Sequence, residues 1–350
     1  MSNAMLTTGL IEQILDRLPR LTVGVVGDLF LDRYLDIDAA LTEPSVETGL
    51  DAYQVVRVRS YPGAAGTVIN NLAALGVGRV CPIAVIGDDG EGYELRQALR
   101  RLGVVDPSNI FAAPDRRTPT YTKPMLIRGD RPAQELNRLD IKNRSRLGDA
   151  EGKRVLQALD DVVPQVDALV ISDQVSEAEC GVITTRVRER LAELGRANPE
   201  KLILADSRNR IGLFRSVTLK PNQAECVRAV QGDYRGPEAT ESCVRELARR
   251  TGRPVFCTRC EQGILLFDPR RADGQPVAVP AYPVSGSIDV VGAGDSVSAG
   301  IACAVAAGAT LEQAAGFGNL VASITIQQIG VTGTASPEQV RQRWREVGGA

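Results

Sequence analysis

The 350-residue sequence contains no histidine. That absence excludes Ser-His-Asp triads, Cys-His pairs and H-E-x-x-H zinc sites, and it leaves acid–base chemistry to Asp, Glu, Lys, Cys or Tyr. No charge of one sign dominates. The 41 Lys and Arg against 43 Asp and Glu give a net charge of −2, so there is no overall basic footprint for nucleic acid. No apolar run reaches the roughly 18 residues of a membrane-spanning helix, and no signal peptide is visible. The seven cysteines are odd in number and scattered, as reduced thiols of a cytoplasmic protein would be. Cys257 and Cys260 form one C-x-x-C, but there is no second close pair to complete a zinc site. A thioredoxin-like pair should open a helix, whereas "PVFCTRC" reads as a strand entering a loop, so the pair is expected to be structural. Internal repeats, low-complexity segments and linkers are absent as well.

What is present is ordinary globular composition, 43% hydrophobic and 24% charged. The length suits one large α/β domain or two ordinary ones. The leading "MSNA" reads as an expression scar, which leaves residues 5–350 for the fold. Continuous apolar runs such as "LTVGVVGD", "RVCPIAVIGDD", "DALVIS" and "KLILAD" predict buried strands. Helical patterns separate them, among them 6–19, 63–76, 150–163, 177–195 and 238–251. Two apolar helices over 293–308 and 310–328 follow, with a last helix from Pro337. Buried strands alternating with helices predict a doubly wound, mostly parallel α/β sheet. Segments 33–61 and 117–140 alternate at period two instead, as half-exposed strands do, and predict a small β-sheet lid.

The chemistry concentrates in "DVVGAGDS", residues 289–296. Gly292, Ala293 and Gly294 bring backbone N–H groups to the start of a helix, where exposed donors and the helix dipole favour an anion. Asp295 follows within the first turn. A carboxylate beside a phosphate is repelled unless it has a task, such as taking a proton from an attacking hydroxyl. The stretch is neither a P-loop nor a dinucleotide G-x-G-x-x-G, because Val297 fills the third glycine's place.

"DVVGAGDSVSAG" resembles the D-T-x-G-A-G-D signature of the ribokinase-like (phosphofructokinase-B) carbohydrate kinases. Five other segments follow that family's pattern in order: "VVGDLFLDRY", "YPGAAGTVINNLAALG", "VIGDDGEG", "LKPNQAEC" and "TRCEQGI". "GDLFLDRY" and "PTYTK…QELNRLD" are similar to the kinase domain of the heptose-phosphate kinases, and at this length no nucleotidyltransferase domain is expected to follow. The resemblance implies phosphoryl transfer from ATP with Mg²⁺ to a hydroxyl of a sugar or sugar phosphate. It implies Asp295 as general base and the backbone of Gly292, Ala293 and Gly294 as anion hole. Asp32, Gly63 and Asn71 are implied at the sugar, with Asp28 and Lys123 as further candidates. Asn222 and Glu225 are implied at Mg²⁺ and phosphate, although "NQAE" also reads as a helix capping box. Thr258, Gly263, Asp289 and Asn319 are implied along the nucleotide. Lys220 reads either as a phosphate ligand or as a solvated strand-end lysine.

Four departures from the family pattern stand out. Ala64 replaces the second glycine of the sugar-binding pair, Thr67 an asparagine, Cys260 a glycine beside the nucleotide, and Val290 a threonine. In addition, Arg117 is displaced by one residue from the heptose kinases' arginine, which on a strand turns it to the opposite face. This implies weaker binding of a phosphorylated sugar, with an unphosphorylated sugar or heptose 7-phosphate (as a 1-kinase) as alternatives. Exposed edges on the lid are expected to pair two copies into a homodimer. Two other classes lack a feature they require or imply. A silent sugar- or nucleotide-binding regulator would need a broken Asp295 or cradle. A nicotinamide oxidoreductase would need a glycine-rich turn after the first strand, which "VVGDLFLDRY" lacks.

Overall fold

The computed structural model describes residues 6–234, 236–272 and 274–348, and the presumed scar at 1–4 lies outside them. Among these residues a nine-stranded sheet forms the centre. From one edge to the other its strands are Val277–Val279, Ile264–Phe267, Val255–Thr258, Thr218–Leu219, Leu202–Ser207, Ala168–Asp173, Thr22–Gly27, Arg79–Gly87 and Ile110–Ala113. Only the pairs made by Ile264–Phe267 are antiparallel; the other neighbours run parallel. This is the expected doubly wound architecture.

The continuous apolar runs follow from burial on both faces. Val23 and Val25 pack on one side with the helices Ala65–Leu75, Ala293–Ala306 and Leu311–Thr325. Val26, Leu169 and Ile171 pack on the other with Asp149–Val162, Thr185–Ala197 and Thr240–Thr251. Successive strand residues alternate between the two cores. Each such Val, Leu or Ile contributes about 1.5–3 kcal/mol by leaving water. The small-residue run after Asp295 has a packing reason: a Cβ on Gly300 would lie 2.9 Å from the Cα of Gly318 on the neighbouring helix.

A second sheet stands off the first, in the order Leu139–Ile141, Thr120–Ile127, Leu29–Asp38, Val55–Ala64, with Gln134–Glu135 also paired to Thr120–Ile127. It begins one residue after the first strand of the large sheet ends, four residues earlier than the sequence pattern suggests. The residue between, Asp28, is the pivot. Its buried carboxylate accepts the backbone N–H groups of Gln174, Val175 and Val182 at 2.7–3.0 Å.

Two expected elements differ. The helix predicted over 177–195 starts only at Thr185, with Thr184 as its cap. The strand read in "AQELNRLD" is split in two. Met125 faces Glu135 but Thr122 faces Leu139, a slip of one residue, and Pro124, with no N–H to donate, sits at the break. Among the described residues no helix is long and apolar enough to cross a membrane.

Candidate active site

The helix Ala293–Ala306 starts at the carboxyl ends of the parallel strands, on the side facing the second sheet. Gly292 precedes it with φ 78°, and a Cβ there would lie 2.5 Å from Thr332 Cγ2, so the entry requires glycine. The N–H of Ala293 is spent on the carbonyl of Val290. Among the described residues, those of Gly292, Gly294 and Asp295 have no acceptor. The open donors at this helix start are therefore Gly292, Gly294 and Asp295, while the Ala293 N–H of the 292–294 motif is taken.

A cavity of about 220 Å³ lies between the two sheets. Gly292 and Asp295 form one wall, and Asp32, Ala64 and Thr67 another. Tyr121, Lys123, Arg138, Gln174 and Arg208 complete the polar lining. Asp32 and Asp295, 263 positions apart in sequence, thus face one space. Gly63 makes room for Asp32: a Cβ on it would lie 2.7 Å from the carboxylate.

Electrostatics tune these acids. Burial first, and then the Asp206 carboxylate, push the Asp295 carboxyl up to about 7, against the pull of Lys220 and Arg208. Burial raises Asp32 as well, against Lys123 and Arg138. For Lys123, burial favours loss of the proton, but a 3.0 Å hydrogen bond to Tyr34 Oη and the nearby Asp32 outweigh it and raise its pKa. Arg138 lies over the Tyr121 ring at 4.0 Å and pairs with Asp140.

Lys220 is neither solvated nor free. It is 3% exposed, pairs with Asp206 at 2.8 Å, and lies near Glu225 and Asp295. Sequence reading missed Asp206, Arg208 and Gln174. One signal was available for Asp206: it ends the buried run "KLILAD", and ligands of doubly wound sheets gather at the strands' carboxyl ends.

Asn222 and Glu225 do form a capping box. Asn222 Oδ1 accepts the Glu225 N–H at 2.9 Å, and Glu225 accepts the Asn222 N–H at 2.8 Å. Burial and then Asp206 push Glu225 up to about 7. Among the described residues no group of three or more His, Cys, Asp or Glu is arranged to hold a metal. Glu225 and Asn222 carry oxygen atoms of the kind a hard cation prefers, and a magnesium–polyphosphate beside them would draw most of its ligands from phosphate and water.

Several expected contacts are otherwise engaged. Asp28 does not line the cavity, because its oxygens hold three backbone N–H groups. Asn71 is fully buried and does not line the cavity, as Thr67 does; its Nδ2 donates to the Thr67 carbonyl, and its Oδ1 has no partner among the described residues. Asp289 ties two loops together through the N–H groups of Val291 and Gly330. Asn319 donates to the carbonyls of Val279 and Pro280, and Gly263 lies against the same segment, where a Cβ would meet Val279 O at 2.2 Å. Thr258 ends its strand beside Asn222, its N–H on the Pro221 carbonyl. Arg117 lies outside the cavity, with Asp89 and Glu91 at 3.5 and 3.3 Å.

Two of the four departures from the family pattern keep a glycine-like backbone without glycine. Ala64 has φ 54° and ψ −119°, and Cys260 has φ 49°. Strain of this kind costs about 1–3 kcal/mol per residue.

A family profile described as "pfkB family carbohydrate kinase" matches residues 29–339. The chain is 31% identical over 332 residues to the bifunctional protein HldE of Geotalea uraniireducens, covering 94% of this chain and 64% of that protein. It is 28% identical over 316 residues to the bifunctional protein HldE of Aliarcobacter butzleri, covering 90% and 62%. The chain therefore spans less than two thirds of these relatives' length. Among solved structures it is similar to the Arabidopsis thaliana ribokinase complexed with ribose and ATP, with a TM-score of 0.64 and 16% identity over 92% of this chain and 98% of that one. Escherichia coli phosphofructokinase-2 in complex with potassium gives a TM-score of 0.66 and 18% identity over 94% and 99%.

Proposed function

The chain belongs to the pfkB family of carbohydrate kinases, and on that premise we propose that it transfers the terminal phosphoryl group of ATP to a hydroxyl of a sugar phosphate. One observation carries the reading: Asp295 stands at a helix start with open N–H groups and shares a cavity with Asp32. Asp32 orients the sugar by accepting hydrogen bonds from its hydroxyls. Asp295 takes the proton of the attacking hydroxyl, and a carboxyl titrating near 7 is matched to that task. The N–H groups of Gly292, Gly294 and Asp295 hold the charge on the transferring group. Mg²⁺, when bound beside Glu225 and Asn222, neutralises charge on the phosphates. The second sheet acts as a lid that excludes water from the cavity.

The substrate's own phosphate is inferred from charge. Lys123, Arg138 and Arg208 line the cavity against two carboxylates. Among the described residues, the Arg208 side chain makes no hydrogen bond or ion pair, so its charge is available to a ligand. Together with the segments that resemble the heptose-phosphate kinases, this makes heptose 7-phosphate the first substrate to test. Wild type is expected to prefer it over unphosphorylated heptose, and Arg208→Ala and Lys123→Ala each to cut that preference about ten-fold, since charge-assisted hydrogen bonds are worth about 1.5–3 kcal/mol. Equal or better kcat/KM for the free sugar would replace the sugar phosphate by a sugar. No ATP turnover with any sugar would favour the silent binding protein.

The lid also supports a homodimer. Val55–Ala64 is an edge strand, and Val55, Val56, Val58 and Tyr61 on it are 41–56% exposed. Such an edge invites pairing with a second copy. Sedimentation is expected to show twice the 37.5 kDa chain mass, and Val56→Lys with Val58→Glu to give monomers. A monomeric wild type would end this reading.

A further inference from the structure

Ala64 is the last residue of the strand Val55–Ala64 and caps the helix Ala65–Leu75 without a side-chain hydrogen bond. Its backbone, at φ 54° and ψ −119°, is one that glycine adopts freely and alanine does not. The chain nevertheless keeps a methyl group there, on the wall of the cavity. Ala64 and Tyr121 both pack against the cluster of Phe30, Val175 and Cys180, and the Phe30 and Tyr121 rings meet edge-on at 5.2 Å. Phe30, Ala64 and Tyr121 all line the cavity, and Phe30 and Ala64 form an apolar corner of it. Immediately before Ala64, Gly63 lies against the Asp32 carboxylate. Asp32 and Ala64 line the same cavity, so a sugar held by Asp32 lies beside Ala64. A hydroxyl directed at the Phe30–Ala64 corner loses water and finds no partner on either side chain, whereas a C–H bond fits.

We propose that Ala64 is a specificity-determining residue. Its methyl selects sugar phosphates that present C–H, not C–OH, to the Phe30–Ala64 corner, and rejects epimers that present the hydroxyl. The proposal rests on the sugar-phosphate kinase reading and refines it. Ala64→Gly relieves the backbone strain and opens the wall to one more oxygen. Ala64→Ser keeps a side chain but offers a hydrogen-bond partner.

The test measures kcat and KM for wild type and both variants with heptose 7-phosphate, mannose 6-phosphate, glucose 6-phosphate and 2-deoxyglucose 6-phosphate. The three hexose phosphates differ only at carbon 2, in configuration or in lacking the hydroxyl, and the heptose has one more carbon. Thermal midpoints are recorded for the same proteins. The glycine variant is expected to melt higher than wild type and to shrink at least one kcat/KM ratio between these probes about ten-fold, the scale on which one methyl-sized change alters discrimination. The gain falls on the KM of the disfavoured sugar, and the serine variant shifts the same ratio in the same direction. Ratios within about twofold of wild type in both variants would overturn the role of Ala64 alone. Failure of wild type to phosphorylate any sugar phosphate would overturn the kinase reading and this proposal with it.

Discussion

Asp295→Asn is expected to lower kcat by about 100- to 10,000-fold, the usual loss when a general base is removed. ATP binding should change little, because the N–H groups of Gly294 and Asp295 belong to the backbone and the asparagine keeps them. The pH behaviour makes the test specific. With the carboxyl raised to about 7, wild-type kcat/KM should fall below that pH as Asp295 takes up its proton. The residual activity of the variant should lack this limb. A variant with more than about a third of wild-type kcat would take Asp295 out of the chemistry.

The same carboxylate has a stability signature. Its ordinary pKa is 3.8, and in the fold it is about 7, so between these values the folded state binds the proton that the unfolded chain has lost. Stability contributed by that proton is full below about pH 4 and declines as pH rises to about 7. Asp295→Asn carries no such decline. It should therefore be more stable than wild type at pH 8, by on the order of 1 kcal/mol, with the difference shrinking towards pH 4. Denaturant midpoints at the two pH values measure it. An inactive variant that is also less stable at pH 8 would point to a structural carboxylate.

The second large effect is at Lys220. Lys220→Met removes the cation from a group that includes the Asp206, Glu225 and Asp295 carboxylates. Removing one member of a buried ion pair typically costs about 3–5 kcal/mol, because the partner's charge stays buried. It also removes a pull that lowers Asp295, so the acid limb of kcat/KM should move above 7. The double variant Lys220→Met, Asp206→Asn leaves no unpaired charge at the pair. It should recover most of the lost stability but not the activity. A single variant as stable as wild type would mean that water reaches and screens the pair. Recovery of full activity in the double variant would make Lys220 purely structural.

Much of this was legible in the chain. Buried strands and helices alternate in a way only a doubly wound sheet satisfies, and period-two segments marked the second sheet because one of its faces meets water. "DVVGAGDS" marked a helix start with open N–H groups, because glycine geometry and free N–H groups are local properties of the backbone. The capping box in "NQAE" was legible for the same reason. Even the strained positions were marked: Ala64 and Cys260 stood out as non-glycines in a glycine pattern, and both hold positive φ.

The tertiary structure alone decided which side chains face one another. Asp28 and Asp32 are four residues apart, and both looked like sugar ligands. Asp28 is claimed by backbone N–H groups some 146–154 positions away, and only Asp32 is left to the cavity. Lys220 and Asp206 are unremarkable strand-end charges in the sequence, but neighbouring parallel strands and a covering helix bury them together. Asn71 read as a sugar ligand, yet it is buried within the fold. For Asp28, Lys220 and Asp206 the charge is assigned by a partner distant in sequence. Local periodicity cannot encode that choice, because burial and pairing are properties of the assembled surfaces.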